Sequence, residues 1–293
     1  VQAFGKTRIR IQPTSLESLN KDALTNLKLD AEIQNENVRI RSGVHQLNSL
    51  NGDVLLHYEN DNLQASSQNV AISFKNPQIA LQSAHIQFKA NTRVSDWTSA
   101  TASGETQLEV QALVPRTSAA QASVSQLNAK FLLNGPSAIL RGLQATQPLQ
   151  YDLSLQTGKI QKGDINVARL NVNTEGQLYD LSGNTLVNKL KLKAGKVQLP
   201  SQENIVEVQT ASANVSVRKK GQGLLFEPST MQIDDLVQIQ IEGNITGLSA
   251  DAISFSKFEL TSDLHDLKAL MDLPGPNPNT PLEMAAQANI SLK

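Results

Sequence analysis

The chain has 293 residues, enough for one large β domain or two smaller ones and enough to bury a sizeable apolar surface. Its 26 basic and 27 acidic residues give a formal net charge of -1, so we expect neither nucleic acid nor an anionic membrane as an electrostatic partner. The absence of cysteine excludes disulfides, thiolate metal sites and cysteine nucleophiles. No run of roughly 18 apolar residues occurs. Because the chain opens on Val1, we interpret it as part of a longer protein whose membrane anchor would lie outside these residues.

Alternating apolar and polar residues predict strands from the start of the chain. Ile9 and Ile11 indicate a first short strand. Across residues 27–34 every second residue is apolar, which is the period of a strand with one covered face. The Asn- and Gly-containing segments 35–37 and 49–53 predict turns between this strand and the next ones.

The same alternation continues through the middle of the chain. Apolar residues alternate with polar ones around Ile72, Ile86 and Val110, so neighbouring antiparallel strands fit best. Residues 134–150 have few periodic positions and predict a soft boundary or one long loop. We therefore expect residues 1–293 to form one continuous β region.

The second half also predicts strands, but its apolar alternation changes phase at several points. The phase changes near Ala168, again at Gly195, and once more between Val208 and Ala211. A phase change inside a β pattern indicates a bulge or a turn. The clearest strand of the chain follows at residues 237–241, where every alternate residue is aliphatic.

Five glycines stand at comparable places in the strand pattern. Gly52 and Gly163 each precede an Asp and a new alternating strand, and Gly135, Gly176 and Gly243 punctuate similar segments. No repeat of fixed length accompanies them, so a regular solenoid is not supported. We interpret them as ordinary turn glycines, with a loose repeat as the alternative.

Residues 253–293 predict a strand, a short helix and a proline-rich break. Ser262 or Asp263 can cap the first helical turn, and the prolines from Pro274 onward end the helix. The apolar stripe of this helix consists of Leu264, Leu267, Leu270 and Met271. We interpret the helix as an amphipathic cap over the apolar surface of the sheet.

Many strands with one apolar face fit a sandwich, a closed barrel or an open curved sheet. An aromatic content of 4% argues against a membrane barrel with aromatic girdles and against a core of bulky aromatic side chains. The covered face is instead mostly Leu, Ile, Val and Ala. Such a face would suit acyl chains, but it would also suit a plain core, which is the interpretation that composition alone favours.

The sequence offers no set of residues for catalysis. The four histidines are isolated, and no metal-ligand spacing, nucleophile elbow, P-loop or dinucleotide motif occurs. We therefore predict no enzyme activity, no catalytic residue, no metal and no cofactor. The alternating Lys189, Lys191 and Lys193 predict either a row that contacts lipid headgroups or phosphate, or an ordinary solvated strand face.

Two segments resemble the AsmA-like proteins of the bacterial envelope. Residues 258–284 look like the strand, Asp-Leu-x-x-Leu helix, Gly/Pro loop and Pro-Leu return to a strand that are typical of that family. Residues 47–56 are similar to its recurring Leu-x-Gly-x-Val/Leu start of a strand. The chain departs from the family pattern because it contains no N-terminal anchor helix.

The resemblance implies a mainly β fold in which a long curved antiparallel sheet forms an open groove, shaped like a half-barrel or taco, with one or two short capping helices. It implies a periplasmic protein of a Gram-negative bacterium, anchored to the inner membrane, that takes part in phospholipid transport to the outer membrane or in outer-membrane assembly. Its partners would be phospholipid acyl chains, the inner membrane through the missing N-terminal anchor, and other envelope proteins. The alternative is a structural β-sandwich module that binds envelope proteins.

Within such a groove the apolar face of the strands would line the path of the acyl chains. The predicted lining residues are Leu27, Leu29, Ile33, Val70, Ile72, Phe74, Leu108, Val110, Leu190, Leu192, Val206, Val208, Val237, Ile239 and Ile241.

Overall fold

The fold was analysed in a computed structural model, which describes residues 2–13, 28–94, 105–119, 122–143, 147–180, 185–200, 205–221, 223–234, 237–246 and 254–264. These residues form one antiparallel sheet of eighteen strands, which is not closed into a barrel, and one short helix. The predicted mainly β fold with a long, curved, open antiparallel sheet is thereby confirmed.

The strands of the first part of the chain are long and uniform. They are β1 Gln2–Pro13, β2 Leu29–Ser42, β3 His45–Glu59, β4 Asn62–Lys75, β5 Ile79–Arg93, β6 Glu105–Ala119 and β7 Ala122–Pro136. Helix α1, Ser137–Leu140, follows β7. The remaining strands are β8 Leu149–Thr157, β9 Ile160–Lys162, β10 Ile165–Val167, β11 Leu170–Leu178, β12 Thr185–Ala194, β13 Val197–Pro200, β14 Ile205–Val208, β15 Ala211–Lys220, β16 Gly223–Ile233, β17 Val237–Thr246 and β18 Ser254–Leu264.

The sheet is a meander with a second, shorter row of pairs. Strands β1 to β8, β11, β12 and β15 to β18 pair side by side in that order. A shorter row of strands pairs in the order β7, β9, β10, β13 and β14. Each of its last four strands is adjacent along the chain to one strand of the long row, which is β8, β11, β12 and β15 respectively. Strand β7 pairs directly with β8, so the sheet runs unbroken past residues 134–150, and α1 lies between the two strands.

Bulges inside long strands replace two of the predicted turns. Residues 35–37 lie within β2 and residues 49–53 lie within β3, so the prediction of turns there is wrong. The register of β2 against β3 shifts between Asn35 and Val38, where Asn37 has a φ of 52°. Asn and Gly residues favour a backbone with positive φ in bulges as well as in turns. The sequence pattern therefore does not distinguish a bulge from a turn.

A line of interruptions crosses the second half of the sheet. We call it the strand-break line, and it consists of Gly158 and Lys159, Ala168 and Arg169, Gly195 and Lys196, and Gln209 and Thr210. Each pair separates a long strand from its short continuation, and the pairs face one another: Gly195 donates its N–H to the Arg169 carbonyl at 2.8 Å, and Ala168 donates to the Lys196 carbonyl at 2.9 Å. The predicted phase changes near Ala168, at Gly195 and before Ala211 all fall on this line, which confirms them as irregularities.

The predicted turn glycines divide into different kinds. Gly163 lies in a turn between β9 and β10, with a φ of 56° and open space around it. Gly52, by contrast, lies inside β3 with a φ of 130°, and an added Cβ would collide with the Asn69 carbonyl oxygen and lie 2.9 Å from the Cα of Val70. Gly135, Gly176 and Gly243 also lie in strands, so the turn interpretation holds for Gly163 alone of the five.

The predicted C-terminal helix is wrong at its start. Strand β18 continues through Ser262 and Asp263 to Leu264, and Leu264 pairs with Val237 of β17. The strand that contains Phe255 therefore continues past Ser262, where the helix was predicted to begin, because β17 continues to offer backbone partners. The other predicted cap residues, Leu267, Leu270 and Met271, lie outside the described residues.

Candidate functional site: the apolar face of the sheet

Cross-strand pairs place apolar residues on one face along the whole width of the sheet. Directly paired residues share a face, and side chains within a strand alternate between faces, so the register identifies each face. One row of direct pairs crosses from β1 to β17 without a break. It consists of Ile11, Ala31, Leu56, Ala65, Ala90, Leu108, Leu133, Tyr151, Gly176, Asn188, Val217, Phe226 and Gly243.

A second row runs parallel to the first for most of the width. It consists of Val70, Ile86, Ala112, Ala129, Leu155, Val172, Leu192, Ala213, Met231 and Ile239. We call the side of the sheet that carries these two rows the apolar face, and the opposite side the polar face. The polar face carries mostly Gln, Asn, Lys and Glu.

The apolar face is covered only in part. A few of its residues are buried, among them Ala31 and Val70 at 9% exposure each, but most are half-buried. Toward the edges it is more open, with Ile11 at 58% and Met231 at 40% exposure. A single sheet normally buries its apolar side against a second layer. The described strands all belong to this one sheet, so they form no such layer.

The structure brings most of the predicted lining residues to this face. Leu29, Ile33, Val70, Ile72, Phe74, Leu108, Val110, Leu190, Leu192, Ile239 and Ile241 share it by alternation and pairing. Val208 lies beyond the strand-break line and is 5% exposed. Val206 and Val237 lie in β14 and β17, and Leu27 lies outside the described residues.

One end of the apolar face is closed by a packed cluster. Helix α1 places Ile139, which is fully buried, against Leu133 of β7 and Leu149 of β8. Pro136 precedes the helix in an extended conformation, and Gly142 just after it has a φ of 77°, so the chain leaves β7, makes one helical turn and returns to β8. We call Leu133, Ile139 and Leu149 the end cluster. The end cluster closes the apolar face where β7 ends and β8 begins.

An aromatic ring covers a glycine beside the end cluster. Tyr151 pairs with Gly176 on the apolar face, and its hydroxyl lies where a Cβ on Gly176 would be. Burial raises the pKa of the Tyr151 phenol, and a hydrogen bond with Thr174 acts in the opposite direction. The pair fills the space that a glycine leaves in a strand, so the apolar surface stays continuous there.

The polar face is organised by ion pairs between adjacent strands. Lys130 pairs with Glu109 at 3.2 Å, and Arg218 pairs with Glu227 at 2.7 Å. Hydrogen bonds from Gln111 and then Lys130 lower the pKa of Glu109. Both carboxylates are half-buried and matched by neighbouring cations, so structural ion pairs account for their pKa shifts.

A histidine on the same face lies between two carboxylates. The His57 ring nitrogens lie 2.7 Å from Asp30 and 3.4 Å from Glu59. The hydrogen bond with Asp30 is the main cause of the raised pKa of His57. Lys28 is bonded to Glu59 and is the main cause of the lowered pKa of that carboxyl. The four residues form one exposed charge network and leave no acidic side chain free to bind a metal.

Shallow depressions occur on the polar face. One, of about 620 Å³, is lined mostly by charged and amide side chains that include Glu175, Lys189 and Glu227. Another, of about 610 Å³, includes Leu132, an apolar residue at a polar-face position. Within the described ranges no group of acidic and histidine side chains is placed to bind a metal, and no helix there is long and apolar enough to cross a membrane.

Sequence reasoning missed the end cluster and the Tyr151–Gly176 pair. The only signal for the cluster was the short apolar run Ala138, Ile139 and Leu140 inside a segment interpreted as a boundary. A run of this length is too short to define a helix by periodicity. The glycine–tyrosine contact depends on register, which a single sequence does not specify.

Together these features define, for the described residues, an open antiparallel β sheet with one apolar and one polar face and an apolar cluster at one end. Comparison of the chain with protein-family models, with curated protein sequences and with solved structures finds no match. The likeness to AsmA-like proteins therefore depends on the two sequence segments alone.

Proposed function

We propose that this protein binds phospholipid through the acyl chains, which lie along the apolar face, and that it takes part in lipid transfer between the inner and outer membranes of a Gram-negative envelope. The observation that carries the proposal is the continuous row of directly paired, mostly apolar residues from Ile11 to Phe226, most of them half-buried. The periplasmic compartment, the anchor in the inner membrane and the transfer between the two membranes are taken from the sequence resemblance to AsmA-like proteins.

The half-buried state of this face favours a flexible apolar ligand. Burying a methylene group contributes about 0.8 kcal/mol, and a ligand lying in an open groove is covered on about half of its surface. A chain of about fifteen methylenes would then gain roughly 6 kcal/mol without any polar contact. This affinity is enough to hold an acyl chain and weak enough to let it move on.

The regularity of the two rows supports movement across the strands. Neighbouring strands lie about 4.8 Å apart, so each step presents an acyl chain with an almost equivalent apolar surface. Asn188 is the polar member of the long row, and its side chain is bonded to Thr174 at 2.5 Å. Thr174 donates this bond, which occupies the side-chain oxygen of Asn188.

The test compares two charges on opposite faces of one strand. Ile239→Asp places a carboxylate on the apolar face, and Gln238→Asp places the same group on the polar face of β17. We expect organic extraction of the purified wild-type protein to yield phospholipid by mass spectrometry. We expect Ile239→Asp to reduce the yield several-fold and Gln238→Asp to leave it unchanged.

Photo-crosslinking gives a second measurement that does not depend on co-purification. A photoreactive residue at Val110 should form adducts with phospholipid, whereas one at the adjacent Gln111 should not. A lipid-free protein, or equal crosslinking from the two positions, would contradict the proposal.

A further inference from the structure

Strand β1 is an open edge of the sheet. Among the described residues it pairs with β2 alone, through register partners that extend from Gln2 to Pro13. On its other side no described residue pairs with the backbone N–H and C=O groups of β1. Native proteins usually protect such an edge by shortening it, twisting it away or placing charges that point inward.

The apolar residues of β1 do not protect the edge. Ile9 and Ile11 lie on the apolar face and are 64% and 58% exposed, whereas Ala31, the β2 partner of Ile11, is 9% exposed. Phe4 is 65% exposed. Within the described part of the chain, the apolar face therefore runs to the edge and is left exposed there.

The charges of β1 all have the same sign. The strand carries Lys6, Arg8 and Arg10 and has no acidic residue. Arg10 lies 3.8 Å from Glu32 of β2, and Lys6 is opposite Glu36 in the register. Glu32 and Glu36 both belong to β2, so they lie on the side of β1 that is already paired.

Inside the sheet, two lysines meet carboxylates across the ladder. Lys189 of β12 pairs with Glu175 of β11, and Lys196 pairs with Glu207. The same arrangement on the outer side of β1 would require carboxylates opposite Arg8 and Arg10. Cross-strand pairs of opposite charge stabilise a ladder, and like charges directly opposite destabilise it.

We propose that the edge of β1 binds an extended segment of another polypeptide by strand addition, and that this segment alternates acidic residues with aliphatic ones. Its acidic side chains would lie beside Arg8 and Arg10 on the polar face. Its aliphatic side chains would lie beside Ile9 and Ile11 and extend the apolar face by one strand. Backbone hydrogen bonds would supply affinity, and the alternation would supply specificity.

The experiment measures binding of a synthetic peptide as long as β1 that alternates Glu and Val. Its fluorescence anisotropy is recorded with the intact chain, and a Lys–Val peptide serves as the matched probe. We expect the Glu–Val peptide to bind, the Lys–Val peptide to bind at least fivefold more weakly, and hydrogen exchange to slow at the amides of Thr7 to Ile11.

Variants with matched controls locate the site. Arg8→Glu should weaken binding of the Glu–Val peptide roughly fivefold or more, and Ile9→Lys should also weaken it. Lys162→Glu and Ile205→Lys, which change exposed residues of β9 and β14, should not. Circular dichroism checks that each variant remains folded.

Several results would overturn the proposal. They are equal binding of both peptides, no binding of either, protection at strands other than β1, or self-association of the chain through β1 in the absence of peptide. The lipid assays described above use residues of β6 and β17 and not the edge of β1, so a failure of one proposal is distinguishable from a failure of the other.

Discussion

The two regions of the sheet, β1 to β7 and β8 to β18, change the phase of their apolar alternation in different ways. In the first region the strands stay continuous, and single residues such as Asn37, Ser83 and Gln126 take φ values of 52°, 51° and 53°. In the second region the strands are interrupted at the strand-break line, where described residues 147–221 contain no non-glycine residue of positive φ. Strands β8, β11, β12 and β15 change phase by giving up part of the ladder, whereas strands of the first region, and β16 and β17 of the second, keep it through bulges inside continuous strands.

The bulge at Gly52 is the sharpest test of the first region. Gly52→Ala should lower the free energy of unfolding by about 4 kcal/mol, because the Cβ meets the backbone of Asn69 and Val70 at a φ that suits glycine. Gly163→Ala, at a turn with open space around it, should cost about 1 kcal/mol. Urea unfolding measures both, and equal losses would show that the bulge does not need glycine.

The end cluster joins the two regions, and its removal should affect both. Ile139→Ala should cost about 3 kcal/mol, because Ile139 is fully buried between Leu133 of β7 and Leu149 of β8. Hydrogen exchange should accelerate in β7 and β8 together. The control is Ile205→Ala, which changes a residue that is 69% exposed and should alter stability by no more than about 0.5 kcal/mol. Faster exchange in only one of the two strands would contradict the joining role.

The smallest effect is expected at the end of the strand-break line. The Asp234 carboxylate accepts hydrogen bonds from the Gln209 and Thr210 amides at 3.0 and 2.5 Å and from the Thr210 hydroxyl at 3.2 Å. Asp234→Ala should cost about 1 to 2 kcal/mol and accelerate exchange in β14 and β15 while leaving β2 to β5 unchanged. Asp164→Ala changes an exposed turn residue and serves as the control. Uniform acceleration over the whole sheet would show that the two regions are not separate.

Sequence alternation was sufficient for the strands and for the face that they share. The aliphatic positions around Val110, Leu192 and Ile239 lie on one side of the sheet because a period of two residues alone determines the face. The phase changes at Ala168 and Gly195 coincide with the strand-break line. In these places the local pattern contains all the information that the fold uses.

The incorrect predictions have a common physical cause: the structure at these positions depends on neighbouring strands that are distant in sequence. The segment 49–53 was predicted to be a turn, but adjacent strands hold it in β3 as a bulge. Ser262 and Asp263 remain in β18 because β17 supplies backbone partners. Ile139 is buried because β7 and β8 meet around it, and the short apolar run in its own segment is too short to indicate this.

The strand-break line also limits how the length of this chain can change. Its residue pairs lie opposite one another, so Gly158 and Lys159 face Ala168 and Arg169, which in turn face Gly195 and Lys196. Deleting one residue from β11 would move its half of the apolar face to the polar side and misalign the breaks in β8 and β12. Insertions and deletions should therefore be tolerated at the strand ends, whereas a length change within a strand would require compensating changes in both neighbours.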